Sequence, residues 1–295
     1  MKRLVDLAAV GGALLLLALV ALPTAVSGQV LPSPGAFVRN FDVRCYKIPF
    51  PQPPLGVTLR LDHLNPYFIQ KQLPFEIVDV KEPQDLCVPV YKETVKPPDS
   101  VLPYLRYADL KCYGISGPSL DLPLHLDQLN PVIAQRFGPS VEVVVREPQQ
   151  LCVPVYKNTV APPAAIRSLI AWLDVKCYRI EAHQAIGGSI NLTHLNPLFA
   201  GLPPEKVDFS EPAPNQLCVP VMKNLQSPPA TVRPIIEYSD VLCYDIKGAP
   251  LNQQLTLTHL NPVLINMGLP PENVPVKDTH KLCVPVAKNG FFPPG

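Results

Sequence analysis

One phrase constrains the fold of this chain more than any other feature. "LCVPVYKN" at Leu151 recurs as "LCVPVYKE" at Leu86, "LCVPVMKN" at Leu217 and "LCVPVAKN" at Leu282. A second cysteine phrase precedes each of these: "RCYKI" around Cys45, "KCYGI" around Cys112, "KCYRI" around Cys177 and "LCYDI" around Cys243. The first cysteines recur every 65 to 67 residues and the second every 65 or 66. Self-similarity at a fixed period marks a repeat architecture. Between the cysteines lie "DHLNP" at Asp62, "DQLNP" at Asp127 and "THLNP" at Thr193 and Thr258, and each copy closes on a diproline, at Pro97, Pro162, Pro228 and Pro293. The chain divides into four copies of one unit, 29–98, 99–163, 164–229 and 230–295, behind a leader at 1–28.

The leader has the order of an export signal. Lys2 and Arg3 supply charge, Leu7 to Leu22 is almost wholly apolar, and the small residues of "TAVSG" follow. Cleavage is expected after Ser27 or Gly28. The apolar run is shorter than the roughly 20 residues a membrane span needs, and no later run is longer. A secreted location, extracellular or periplasmic, is therefore expected, with no membrane span after cleavage.

Within a unit the pattern is β. "DVRCYKI" at Asp42 carries the β-branched and aromatic content of a strand. "VTLRLD" at Val57 alternates strictly, apolar at Val57, Leu59 and Leu61 and polar between them, which is a half-buried strand. "FEIVDV" at Phe75 and "LCVPVYK" at Leu86 complete four strands. Pro89, Pro154, Pro220 and Pro285 have no amide hydrogen to donate, so they belong at a sheet edge or a bulge. Asn65, Asn130, Asn196 and Asn261, each followed by proline, are expected to cap a turn or two of helix. The chain holds 39 prolines, yet 47% of it is apolar; the prolines punctuate folded segments rather than a disordered tract. The segments "VLPYLRYAD", "IRSLIAWLD" and "VRPIIEYSD" between copies are apolar and are expected to pack against a neighbouring unit. The fold expected is all-β: four tandem antiparallel units in an elongated array, with a closed four-bladed, propeller-like ring as the alternative.

No two of the eight cysteines are closer than 25 residues, unlike the close pairs of metal sites, and an even count behind an export signal points to disulfides. Pairing within units (Cys45–Cys87, Cys112–Cys152, Cys177–Cys218, Cys243–Cys283) uses all eight and keeps the copies identical. Pairing across boundaries strands Cys45 and Cys283 unless the array closes on itself. A unit this small gains from a staple, because its own core is marginal.

These phrases resemble a family of uncharacterised secreted bacterial proteins whose repeat opens on a Cys-Tyr-Lys strand and ends on a Leu-Cys-x-Pro-x-x-Lys strand. Cys45-Tyr46-Lys47 and Leu86-Cys87-Val88-Pro89 match in the first copy, and the likeness covers 42–289. Gly114, Arg179 and Asp245 stand at the lysine position in the other copies. The resemblance implies export and a bacterial source, and carries no activity.

Four polar or aromatic positions recur as candidate sites. Asp42, Asp109, Asp174 and Asp240 precede the first cysteines, and Lys92, Lys157, Lys223 and Lys288 follow the second. They are either a ligand pocket presented four times or charges that pair across strands. His63, His194 and His259 recur in three copies, with Gln128 in the second, which fits hydrogen-bonded turn residues better than metal ligands. Tyr46, Tyr113, Tyr178 and Tyr244 are either core or an aromatic row that could stack on a ligand. The 25 basic and 24 acidic side chains leave no basic excess for nucleic acid. No catalytic motif is present, and nothing calls for a cofactor or metal. The expected function is a non-catalytic binding or adhesion module for an extracellular or envelope glycan or protein. The alternatives are a structural component of the envelope or matrix and, more remotely, an enzyme or metal-binding protein.

Overall fold

A computed structural model describes residues 30–184, 186–211 and 214–295. The leader and its cleavage site lie outside the described residues. Fifteen strands form one antiparallel system: β1 (Val43–Lys47), β2 (Val57–His63), β3 (Glu76–Val80), β4 (Pro83–Lys92), β5 (Asp109–Gly114), β6 (Leu122–Gln128), β7 (Ser140–Lys157), β8 (Val175–Ala182), β9 (Ser189–His194), β10 (Glu205–Phe209), β11 (Gln216–Lys223), β12 (Val241–Lys247), β13 (Gln253–His259), β14 (Glu272–Val276) and β15 (Thr279–Lys288). Among the described residues, no helix is long and apolar enough to cross a membrane.

The two cysteine strands of every unit form the inner layer. They pair in sequence as β1–β4–β5–β7–β8–β11–β12–β15, and β15 returns to β1, with Val43 opposite Cys283. The units are all-β and disulfide-stapled, as expected, but the elongated layout is not what forms. The first and last strands hydrogen-bond to each other, so the chain closes into a ring. It is one continuous inner sheet, not four separate blades. Closure removes the exposed edges that an open sheet must otherwise protect.

The units are also not self-contained sheets. Each middle strand, with its partner hairpin strand, is handed to the unit two steps along the chain. β2 pairs with the end of β11, β6 with β15, β9 with β4 and β13 with β7. The strict alternation at Val57 is visible here: Leu59 and Leu61 are buried, while Thr58 and Arg60 face outward. The second cysteine strand therefore serves two partners, and its proline marks the changeover. In β4, pairing to β5 stops at Cys87, and Pro89 pairs only with Val43 of β1 on the inner sheet. The missing amide falls where one neighbour has already left. Pro89 also accepts through its carbonyl from Leu195 N at 3.0 Å, and Pro220, Pro285 and Pro154 accept likewise from Leu64, Leu129 and Leu260.

Inside the ring all eight cysteines belong to one buried cluster. The pairing is within units: Cys45–Cys87, Cys112–Cys152, Cys177–Cys218 and Cys243–Cys283, with no free cysteine. The ring thus closes through backbone pairing of β1 with β15 and not through across-boundary disulfides. Neighbouring disulfides still touch, with Sγ of Cys87 3.8 Å from Cys112, Cys152 3.7 Å from Cys177 and Cys218 3.9 Å from Cys243. A closed sheet of about eight strands is just wide enough for side chains to fill, and here sulfur does much of the filling.

One end of the ring is capped. The three segments that join units, and the one that precedes β1, each form a short helix, Leu102–Leu105, Ala164–Ile170, Arg233–Ile236 and Pro34–Val38, and their apolar residues join the cysteine cluster. The connecting segments pack as expected, but over a core shared by all four units rather than at pairwise junctions.

Candidate functional site

The recurring polar residues are absorbed by the architecture. Each Asp–Lys pair is buried within its own unit: Asp42 with Lys92, Asp109 with Lys157, Asp174 with Lys223 and Asp240 with Lys288. Burial raises the aspartates, to about 6 at Asp109, Asp174 and Asp240, and lowers the lysines. The asparagines do two jobs. Each caps its helical turn by accepting from the amide two residues on, at 3.0 Å for Asn65 and Asn130 and 2.9 Å for Asn196 and Asn261. Each also donates to the aspartate of the preceding unit, as Asn196 Nδ2 does to Asp109 Oδ2 at 2.6 Å.

The tyrosines are not an exposed platform. Tyr46 is 1% exposed and Tyr113, Tyr178 and Tyr244 are 0% exposed, so no ligand can stack on a row of them. Each hydroxyl meets the histidine position of the unit two steps away. Tyr46 pairs with His194 at 2.9 Å, Tyr113 with His259 at 3.2 Å and Tyr178 with His63 at 3.1 Å. Tyr244 accepts from Gln128 at 2.7 Å. The histidines are thus spread among separate contacts rather than gathered on an axis. Burial, helped by nearby lysines or Arg44, lowers His63 to about 3 and His194 to about 4. An ion pair accompanies each Tyr–His contact: Arg44–Glu205 at 2.6 Å, Lys111–Glu272 at 2.6 Å and Lys176–Glu76. Where glutamine replaces histidine, Leu242 and Val141 stand at the corresponding positions, in one apolar cluster.

What remains is the uncapped end of the ring. Two residues before each second cysteine, on the same strand face, stand Asp85, Gln150, Gln216 and Lys281, all buried. Gln150 Nε2 donates to Asp85 Oδ2 at 2.8 Å and to Gln84 Oε1 at 2.8 Å. Gln216 Nε2 donates to Gln149 Oε1 at 3.0 Å. Lys281 Nζ reaches Gln216 Oε1 at 3.3 Å and Asp85 Oδ2 at 3.4 Å. His280 Nδ1 lies 3.0 Å from Asp85 Oδ1. Burial alone would raise the Asp85 carboxyl, but Lys281, His280 and Gln150 outweigh it and hold the group well below the usual carboxylate range. Asp85 is a fixed anion, not a proton donor.

Against this polar ring opens a cavity of about 400 Å³, at the seam where the first and last units meet. That size falls in the range of about 300–1,000 Å³ typical of small-molecule sites. Its polar side carries Glu82, Gln84, Asp85, Gln150, Asp278 and His280, and its apolar side carries Ile48, Pro49, Phe50 and Pro83. A second hollow of about 320 Å³, with Arg179 and Lys281, lies beyond His280. Phe50 comes from "PFPQPP", in a loop longer and richer in proline than the corresponding loops of the other copies, and is 81% exposed.

These residues escaped the sequence reading because it followed what the copies share. The signal was where they differ. Directly before each Leu-Cys stand Gln84-Asp85, Gln149-Gln150, Asn215-Gln216 and His280-Lys281. No protein-family model, no curated protein and no solved structure matches the chain.

Proposed function

We propose that this protein is a non-catalytic, exported binding or adhesion module, and that its ligand occupies the cavity at the seam of the ring. One observation carries the reading. Three side chains that break the fourfold pattern, Phe50, Asp85 and His280, line a single cavity, while the recurring Asp–Lys, Tyr–His and Asn contacts hold the scaffold together. Fixed polar groups converging on a cavity are the usual mark of a ligand site. The cavity walls include no hydroxyl or thiol nucleophile, and the cysteines are all bonded in pairs. Export is supported by the leader and by four disulfides, which persist in oxidising compartments, and the resemblance to secreted bacterial repeat proteins points the same way.

The test is retention of an envelope or medium component from the source organism by immobilised mature protein, against a Phe50→Ala, Asp278→Ala double variant. Retention by the parent and loss by the variant supports the reading. Equal retention by both places the contact elsewhere. Self-association with no retained component turns the assignment to a structural envelope role.

A further inference from the structure

The chemistry of the seam cavity narrows its ligand. Its lining combines a water-exposed phenyl ring and prolines with a set of carboxamides and carboxylates. The ligand that fits has a flat apolar face and a polar rim. Its rim must both donate and accept, because the Gln84 amide nitrogen donates and the Glu82 and Asp278 carboxylates only accept. A pyranose ring has this construction, with C–H bonds on its faces and hydroxyls around its edge. Charge removes a further class. Glu82, Asp85 and Asp278 face the cavity against Lys47 and His280, and Asp85 is already compensated by Lys281. Among the described residues, Lys47 is the one lysine or arginine in the lining, and the three carboxylates outnumber it.

Resting on the reading of this cavity as a binding site, we propose that its ligand is a neutral or amino saccharide, with one sugar ring lying on Phe50 and its hydroxyls bonded to the Gln84 amide, the Glu82 and Asp278 carboxylates and His280. The site is built in advance. Pro49, Pro51, Pro53 and Pro54 each fix a backbone angle in the loop that presents Phe50. Asp85 and Gln150 are locked by the hydrogen bonds of the polar ring. Little conformational freedom is lost on binding, which favours affinity.

The experiment is titration of the purified, disulfide-intact mature chain with three disaccharides, followed by calorimetry and saturation-transfer NMR. The probes are chitobiose, the dimer of glucosamine and the dimer of galacturonic acid. Saturable binding of the first or second is expected at millimolar concentrations or below, with the acidic dimer at least about tenfold weaker. Phe50→Ala should weaken binding by about tenfold or more without moving the melting temperature, since Phe50 is exposed. Preference for the acidic dimer overturns the inference, as does binding indifferent to Phe50. If no disaccharide binds but the envelope component is still retained through Phe50, the saccharide assignment fails and the binding site stands. If the parent protein retains nothing either, both fail.

Discussion

Lys176 shows what a buried charge does here. Its ammonium lies against Glu76 beside the Tyr178–His63 contact, and burial lowers its pKa. The same place one unit further round the ring is filled by Leu242, Val141, Tyr244 and Gln128. Removing one partner of a buried pair leaves the other uncompensated, at a cost of about 3–5 kcal/mol, whereas replacing both by apolar groups is often neutral. Lys176→Leu alone should therefore cost about 3 kcal/mol. The triple change Lys176→Leu, Glu76→Val, His63→Gln should recover most of it, as read by denaturant midpoint. A second residue-scale outcome concerns acid. His194 has a folded-state pKa of about 4, below its ordinary value of 6.5. A group depressed in this way contributes its full stability above pH 6.5 and loses it as pH falls towards 4, here up to about 3 kcal/mol. Asp109, Asp174 and Asp240, raised to about 6, act in the opposite sense over much of the same window. The wild-type acid curve is a difference between the two. His194→Gln, which copies Gln128, should remove the histidine part, so variant and parent should converge or cross as the pH is lowered from 7 to 4.

At the scale of the element, the phrase "LCVPVYKN" can now be parsed. Its leucine and valines are buried, its cysteine staples the unit, its proline marks the change of partner, and its lysine meets the buried aspartate. The final asparagine turns left-handed, at φ 52° for Asn158, 49° for Asn224 and 48° for Asn289. Its side chain accepts a backbone amide from the strand of the unit two steps away, as Asn224 does from Arg60 at 2.9 Å. The first copy has Glu93 there, at φ 53°. Asparagine tolerates this region and other L-residues pay about 1–2 kcal/mol for it, so Glu93→Asn should raise stability by about 1 kcal/mol, measured by thermal melting. Much of this was legible in the letters: the strands, the asparagine caps and the within-unit disulfides follow from period, cap chemistry and pairing arithmetic. The destination of β2 was not. "VTLRLD" states which side of the strand is buried, but a half-buried strand looks the same whichever unit supplies its partner. The cavity was illegible for a related reason, since Phe50 and His280 are 230 residues apart in sequence and meet only because the ring closes.

The whole molecule should unfold as one body. In an open array each unit touches mainly its neighbours and boundaries can loosen separately. Here the cysteine cluster draws residues from all four units, and Trp172 packs against it. Trp172→Ala is therefore expected to lower the midpoint of a single cooperative transition, seen identically by calorimetry and far-ultraviolet dichroism, rather than to free one boundary. The first described helical turn also meets the closing diproline, with Gly35 N donating to Pro294 O at 2.7 Å. The two-step handover has a last consequence. A chain of only two units would contain no recipient for its own middle strands, and could satisfy them only by exchanging them with a second copy of itself. The protein is thus equivalent to a strand-swapped homodimer whose halves have been joined into one polypeptide, with 158–175 as the tether. The two halves are not identical: one seam carries Phe50 and His280, and its counterpart across the pseudo-twofold axis does not.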